Sequence, residues 1–285
     1  MTFDIPDYVE VIIDRLEKES YEAYIVGGSV RDMLLKKVPT DYDIATNATP
    51  DIIESIFLDF KTVGIGKKFG TILISQKEGD IEVTTFRKEG KYLDGRRPEW
   101  VSFSSDLEDD LSRRDFTINA MAYNKFKGVL DPFDGKGDLK RKIIRTVGKP
   151  EDRFNEDYLR ILRAVRFASQ LEFTIEESTF RAGEQCGSNI QKVSMERICN
   201  EFFKILLSKT PSYGIKLLEN IGVLKIILPE IIPAIGFNQN NPHHEMDVYN
   251  HILCVLDNTP PTIQIRLAAL FHDIGQHHTL TIDED

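Results

Sequence analysis

The hydrophobic period changes once along this chain, near residue 150, and that change constrains the fold more than any other feature. Before it, short β-like runs at 22–26, 41–45, 71–75 and 80–86 alternate with helix-like stretches near 29–36 and 50–57. A surface helix opens the chain, with Val9, Ile12, Ile13 and Leu16 at helical spacing after Pro6. Thr49-Pro50 reads as an N-cap followed by proline at the first helical position. Beyond residue 150, Tyr158, Leu159, Leu162, Val165 and Phe167 begin a helical pattern that returns around 176–186, 194–207 and 213–219. An α/β-type first half followed by an all-helical remainder is the expectation. Residues 87–104 read as a long loop, of the kind that is functional or mobile inside a compact domain.

A chain of 285 residues leaves room for two or three domains. Its 41% hydrophobic and 29% charged residues exclude collagen-like, low-complexity and wholly disordered classes. The acidic N-terminus lacks a secretory pattern and no apolar run is long enough to span a bilayer, so no membrane partner and a cytoplasmic location are expected. Cys186, Cys199 and Cys254 have neither the even number nor the spacing of a disulfide or zinc framework and read as buried free thiols. A net charge of −10 argues against indiscriminate nucleic-acid binding but leaves room for a local basic groove. The stretch 136–153 supplies one, with Lys136, Lys140, Arg141, Lys142, Arg145, Lys149 and Arg153 against three acidic residues. It suits RNA read through phosphate and helix shape, with a solvated basic face as the alternative for any individual lysine.

The sharpest local pattern is Tyr24-Ile25-Val26-Gly27-Gly28-Ser29-Val30-Arg31-Asp32, a strand that runs through two glycines into a helix. Glycines let a phosphate approach the backbone, and a helix N-terminus offers free N–H groups. Asp41 and Asp43, two apart on a strand, point to one face, where two hard oxygen ligands suit Mg²⁺ held partly by substrate phosphates. Glu82 adds a third carboxylate from a neighbouring strand whose Ile81 and Val83 face the other way.

That order resembles the nucleotidyltransferase superfamily typified by DNA polymerase beta, in which two metals clamp the attack of a 3′-hydroxyl on an α-phosphate. Five ordered segments resemble the class II tRNA nucleotidyltransferase (CCA-adding enzyme) and bacterial poly(A) polymerase family over nearly the whole length. The first is Gly27 to Asp32 with Asp41-Tyr42-Asp43, and the second is Arg113-Arg114-Asp115-Phe116-Thr117-Ile118-Asn119-Ala120, which the resemblance assigns to the ribose of the incoming nucleotide. Asp131 to Leu139 resembles the third, between head and neck. Glu156-Asp157-Tyr158-Leu159-Arg160-Ile161-Leu162-Arg163 resembles the nucleobase-reading fourth, and Glu196 to Glu201 the bracing fifth.

The resemblance implies an α+β head with a small mixed sheet and helices, then an all-helical neck and body. The head would cover 1–145, the neck 146–210, and the body with the start of an HD-like domain 211–285. It implies addition of CMP, CMP and AMP from CTP and ATP to the tRNA 3′ end, with Mg²⁺ and release of pyrophosphate. Asp41 and Asp43 would hold metal, and Glu82 would orient or deprotonate the primer hydroxyl. Gly27, Gly28, Ser29 and Arg31 would hold the triphosphate; Arg114, Asp115 and Asn119 the ribose region; Asp157, Arg160 and Arg163 the base, with Arg166 continuing that basic face.

The residues keep other readings open. Arg114 suits a phosphate or a pair with Asp115; for Asp115 the alternative is a helix-start ion pair, and Arg113 reads as solvated or RNA-facing. Asp157 and Arg160, three apart, would interlock on one helical face as acceptor and donor for cytosine or adenine, or form an ordinary surface pair. The loop 87–98, with Arg87, Lys88, Lys91, Arg96 and Arg97 against Glu89 and Asp94, resembles the family's flexible loop, whose presence implies full CCA or A-only activity; by its residues alone it also reads as a solvated hairpin.

His251 and His272-Asp273 resemble the start of an HD phosphohydrolase metal site, with His243, His244, His277 and His278 as auxiliary ligands or exposed loop residues. The sequence stops at Asp285, before a further aspartate of that pattern, which reads as a truncated domain or a fragment. A-adding enzyme, poly(A) polymerase, phosphohydrolase and non-catalytic RNA-binding fragment are the alternatives to CCA addition.

Overall fold

The computed structural model describes residues 2–64, 66–90, 92, 99–237 and 246–276. The chain divides into two compact units, Met1–Lys149 and Pro150–Asp285.

The first unit is built on a seven-stranded mixed sheet in the order β3-β4-β5-β2-β1-β8-β9. Its strands are β1 (Ala23–Val26), β2 (Asp43–Thr46), β3 (Lys61–Val63), β4 (Thr71–Ser75), β5 (Asp80–Thr85), β8 (Ala122–Asn124) and β9 (Gly128–Leu130). A separate two-stranded ribbon joins β6 (Arg87–Glu89) to β7 (Val101–Phe103). All four residues of β1 are buried, as a central strand requires, and Tyr24 and Val26 pack with Ala45, Phe86, Leu107, Leu111 and Ala122. In β5 the burial alternates, with Ile81 and Val83 inside and Glu82 exposed.

Helices α1 (Asp7–Lys18), α2 (Gly28–Leu34), α3 (Pro50–Ile56), α4 (Leu107–Ser112) and α5 (Gly135–Arg141) complete this unit. The apolar stripe of α1, Val9, Ile12, Ile13 and Leu16, is buried. Each such side chain contributes roughly 1.5–3 kcal/mol in area terms before entropy is subtracted.

Two sequence expectations shift here. Strand β2 starts at Asp43 rather than 41, because its partner β1 ends where Gly27 takes φ 76° and turns away, so Val26↔Asp43 is the last pair. The expected loop 87–104 has a paired stem, Arg87↔Phe103 to Glu89↔Val101. Residues 91 and 93–98, with Lys91, Asp94, Arg96 and Arg97, lie outside the described residues.

The second unit is mainly helical: α6 (Pro150–Glu156), α7 (Leu159–Leu171), α8 (Glu177–Cys186), α9 (Met195–Leu206), α10 (Pro211–Asn220), α11 (Leu224–Ile227), α12 (Val248–Asp257) and α13 (Ile263–Phe271). Helices α7, α9 and α10 pack closely because position 214 is glycine; a Cβ there would collide with Ile205 of α9 and press on Ser169 of α7. The three cysteines are unpaired, but only Cys186 is buried; Cys254 is exposed because α12 turns Val248, Tyr249, Ile252, Leu253 and Leu256 inward instead. Among the described residues no helix is long and apolar enough to cross a membrane.

Candidate active site

Strand β2 lies between β1 and β5, and this register assembles the acidic site. Asp43 pairs with Val26, next to the glycine turn, on one side and with Glu82 on the other. Asp41 precedes the strand, and exposure alternates through Asp41, buried Tyr42 and Asp43, so both aspartates face away from the core. Although its surface is open to solvent, the protein around the Asp43 carboxyl strips enough water from it to lift it to about 6; Arg114 opposes this, while Glu82 and Asp41 add to it. Three hard oxygen donors that repel one another suit a divalent cation, whose charge relieves the repulsion.

Gly27 explains how a guanidinium comes to lie beside these carboxylates. Its φ of 76° disfavours any L side chain, and a Cβ there would lie 2.9 Å from Arg114 Nη1 and 3.9 Å from Asp43 Oδ2. The missing side chain thus lets the Arg114 guanidinium close in on the backbone beside the Asp43 carboxylate. At Gly28 the constraint is weaker, because a Cβ there would make only ordinary contact with Arg31 Nη2, at 3.5 Å. Ser29 is 3% exposed and donates to the Val26 carbonyl at 3.3 Å, so the structure places it in the turn rather than as an open phosphate-facing hydroxyl.

The second motif folds against this turn through a hydrogen-bonded chain. Arg31 forks onto Asp32 at 2.9 and 3.0 Å and donates to Asn119 Oδ1 at 2.8 Å; Asn119 Nδ2 then donates to Asp115 at 3.1 Å. Asp115 and Asn119 are buried, and Asp115 also accepts from the Phe116 N–H at 2.8 Å. Arg114 pairs not with Asp115 but with Asp110, at 3.0 Å. Arg113, expected to be solvated, is instead held between Asp110 at 2.6 Å and Glu89 at 3.1 Å.

In the second unit, Asp157 and Arg160 do not interlock. Helix α6 ends at Glu156 and α7 begins at Leu159, so Asp157 sits between helices and the i,i+3 face does not apply. Its carboxylate caps the Leu159 N–H at 3.0 Å and takes Arg197 at 2.6 and 3.3 Å. Arg160 turns to Glu156 and donates to the Arg153 carbonyl at 3.0 Å. Arg163 is half-buried, 5.4 Å from the Phe167 ring centroid. Arg166 is buried, with Nε 2.9 Å from Glu201, an α7–α9 tie rather than an exposed base-reading group.

The expected RNA-facing stretch is less basic than its composition. Asp138, 1% exposed, takes Arg141 at 2.7 Å, Arg145 at 3.2 Å and the Thr117 hydroxyl at 2.7 Å. Arg153 pairs with Glu156 at 3.1 Å, while Lys136, Lys140 and Lys149 are exposed.

Among the described residues, one group of three His, Cys, Asp or Glu side chains brings its ligand atoms within 4.8 Å of one another: His251, His272 and Asp273. The two Nε2 atoms are 3.3 Å apart and lie 3.5 and 3.3 Å from Asp273 Oδ2. His272 Nδ1 is 2.8 Å from the Ala269 carbonyl, an arrangement that directs Nε2 toward the cluster. His243, His244, His277 and His278 lie outside the described residues.

A family model described as the poly A polymerase head domain matches residues 23–145, and one described as a probable RNA- and SrmB-binding site of polymerase A matches 172–235. The CCA-adding enzyme of Streptococcus thermophilus is 48% identical over 207 residues, 73% of this chain and 51% of that one. The Bacillus stearothermophilus CCA-adding enzyme, solved in complex with CTP, superposes with a TM-score of 0.71 at 32% identity, covering 97% of this chain and 81% of that one. The chain belongs to the family of CCA-adding enzymes and bacterial poly(A) polymerases. The Thermotoga maritima CCA-adding enzyme, solved with tRNA, gives a TM-score of 0.71 at 25% identity, over 97% of this chain and 68% of that one. This member of the family spans about half the length of the Streptococcus relative.

The head thus has the mixed-sheet nucleotidyltransferase fold of its family. Asp110, which no motif singles out, and Glu89, legible only as an acidic residue of the 87–98 loop, hold its arginines in place. A signal was available for Asp110: it stands three and four residues before Arg113 and Arg114, the spacing of helical ion pairs.

Proposed function

We propose that this chain is a CCA tRNA nucleotidyltransferase that adds CMP, CMP and AMP from CTP and ATP to the tRNA 3′ end, with Mg²⁺ and without a nucleic-acid template. The observation that carries the reading is the close approach of Arg114 to the Gly27 backbone beside Asp43, with Glu82 in register next to Asp43. A phosphate there meets a guanidinium on one side and lies next to carboxylates on the other. Mg²⁺ at Asp41 and Asp43 would supply Lewis-acid stabilisation of the developing charge on the transferred phosphate.

The chain's own residues do the rest. Arg114 and Arg31 neutralise the triphosphate, and Glu82 orients the primer 3′-hydroxyl and accepts its proton. The buried Asp115–Asn119 pair favours a ribose, because a deoxy sugar would leave a polar partner unsatisfied. Asp157 accepts the exocyclic amine shared by cytosine and adenine while Arg160 donates to the adjacent ring nitrogen; uracil and guanine present the opposite pattern. Arg197 and Glu156 preorganise these two side chains. We place the reaction in the cytoplasm, keep head, neck and body as 1–145, 146–210 and 211–285, and assign Lys136, Lys140 and Lys149 to tRNA phosphates.

Single-nucleotide extension of tRNA ending at the discriminator, at C and at CC tests this reading. Addition of C, C and then A supports it. A added only after CC marks an A-adding enzyme, and long A tracts on any RNA mark a poly(A) polymerase.

The convergence of His251, His272 and Asp273 favours a second reading, a metal-dependent phosphohydrolase of HD type. It requires metal-dependent phosphodiester cleavage that survives Asp41→Ala and disappears in Asp273→Ala.

A further inference from the structure

A carboxylate outside the proposed metal and nucleotide positions stands behind the first site. The Asp110 side chain, on α4, is fully buried. One oxygen accepts from Arg113 Nη2 at 2.6 Å and Nε at 2.9 Å; the other accepts from Arg114 Nη2 at 3.0 Å. Burial alone would raise the Asp110 carboxyl, but Arg114 and Arg113 outweigh it and hold the group below the usual carboxylate range. Asp110 is therefore an anion in the folded protein at neutral pH.

The Arg114 guanidinium has a divided orientation. Its Nη2 is tied to Asp110, whereas Nη1 projects to within 2.9 Å of the place a Cβ of residue 27 would occupy. Its Nε is buried without a hydrogen-bond partner among the described residues. A planar fork anchored at one nitrogen presents the others in a fixed direction. On the other side, Arg113 links Asp110 to Glu89 at 3.1 Å, and Glu89 takes Arg87 at 2.8 Å.

We infer that Asp110 is a positioning residue for the incoming nucleotide: it fixes the Arg114 guanidinium over Gly27, where the triphosphate is received. The inference rests on the nucleotidyl-transfer reading above and extends it to a residue that does not itself touch the substrate. Asp110 acts before the chemical step, so its loss weakens nucleotide capture more than turnover.

The test measures KM and kcat for CTP on a tRNA primer with the full chain, in wild type, Asp110→Asn and Arg113→Gln, below the melting temperature of each. Arg113→Gln removes a partner of the same buried carboxylate but leaves its bond to Arg114. The expected result is a KM at least tenfold higher in Asp110→Asn with kcat within threefold, and a KM within threefold in Arg113→Gln. A smaller rise in Asp110→Asn, a loss confined to kcat, or an equal rise in both variants overturns the assignment, because a merely structural carboxylate affects both alike. If Asp110→Asn does not fold, Arg114→Lys decides. Its single ammonium lacks the fork that spans Asp110 and the Gly27 backbone, so its KM rises tenfold with Asp110 intact, and an unchanged KM overturns the assignment. Wild-type protein that extends no primer overturns the transfer reading and this assignment together.

Discussion

Arg197 grips Asp157 through both terminal nitrogens, at 2.6 and 3.3 Å, and so joins the start of α7 to α9 across forty residues of sequence. A carboxylate fixed in this way presents a hydrogen-bond acceptor in one orientation. Arg197→Met is expected to lower stability by about 1.5–3 kcal/mol, the range for hydrogen bonds to charged groups, as read by urea denaturation. It should also raise UTP or GTP incorporation relative to CTP. Unchanged nucleotide choice would separate Asp157 from base selection.

Gly27 meets two constraints at once, a positive φ and a space where Arg114 closes in. Gly27→Ala introduces backbone strain on the order of 1–3 kcal/mol and places a methyl group 2.9 Å from Arg114 Nη1, so it displaces the guanidinium proposed to hold the phosphate. Folding by circular dichroism should survive, while CTP affinity measured by calorimetry falls at least tenfold. Retained affinity would remove the glycine turn from the nucleotide site.

Much of the head was legible because its signals are local. Two glycines after a buried strand, and Asp41 and Asp43 on either side of an apolar Tyr42, define a turn and a face without knowledge of distant contacts. The charged partnerships were not legible in the same way. Arg160 has Glu156 at i−4 and Asp157 at i−3, and which it takes depends on where α7 begins. Arg113 looked exposed by composition, yet the β6–β7 ribbon brings Glu89 against it, a contact between residues twenty-four apart. The strand boundary at Asp43 likewise follows from where β1 runs out of backbone partners.

Glu176 caps α8, accepting from the Thr179 N–H at 2.9 Å. Burial raises its pKa, but hydrogen bonds from Ser178 and Thr179 outweigh that and hold it at about 2. A depressed carboxyl contributes stability that is full above its ordinary value of 4.5 and is lost as pH falls toward 2. Glu176→Ala is expected to cost about 1 kcal/mol at pH 7, with the two proteins converging in denaturation midpoint as pH drops through that window. A constant difference across pH would show that the carboxylate charge does not stabilise the cap.

The histidine cluster makes its own prediction, independent of the head. With two imidazoles and a carboxylate as ligands, cobalt(II) titration is expected to give visible absorption in wild type and in Asp41→Ala, and none in His251→Ala or Asp273→Ala. Absorption that persists without Asp273 would discard this metal site.

The most direct test of the central claim is primer extension with each NTP separately and Mg²⁺, on tRNA ending at the discriminator, at C and at CC, comparing wild type with Asp41→Ala/Asp43→Ala. The expected result is C, C and A in order, then a stop, all absent from the double variant. No extension by folded wild-type protein, or extension that persists in the double variant, contradicts the account.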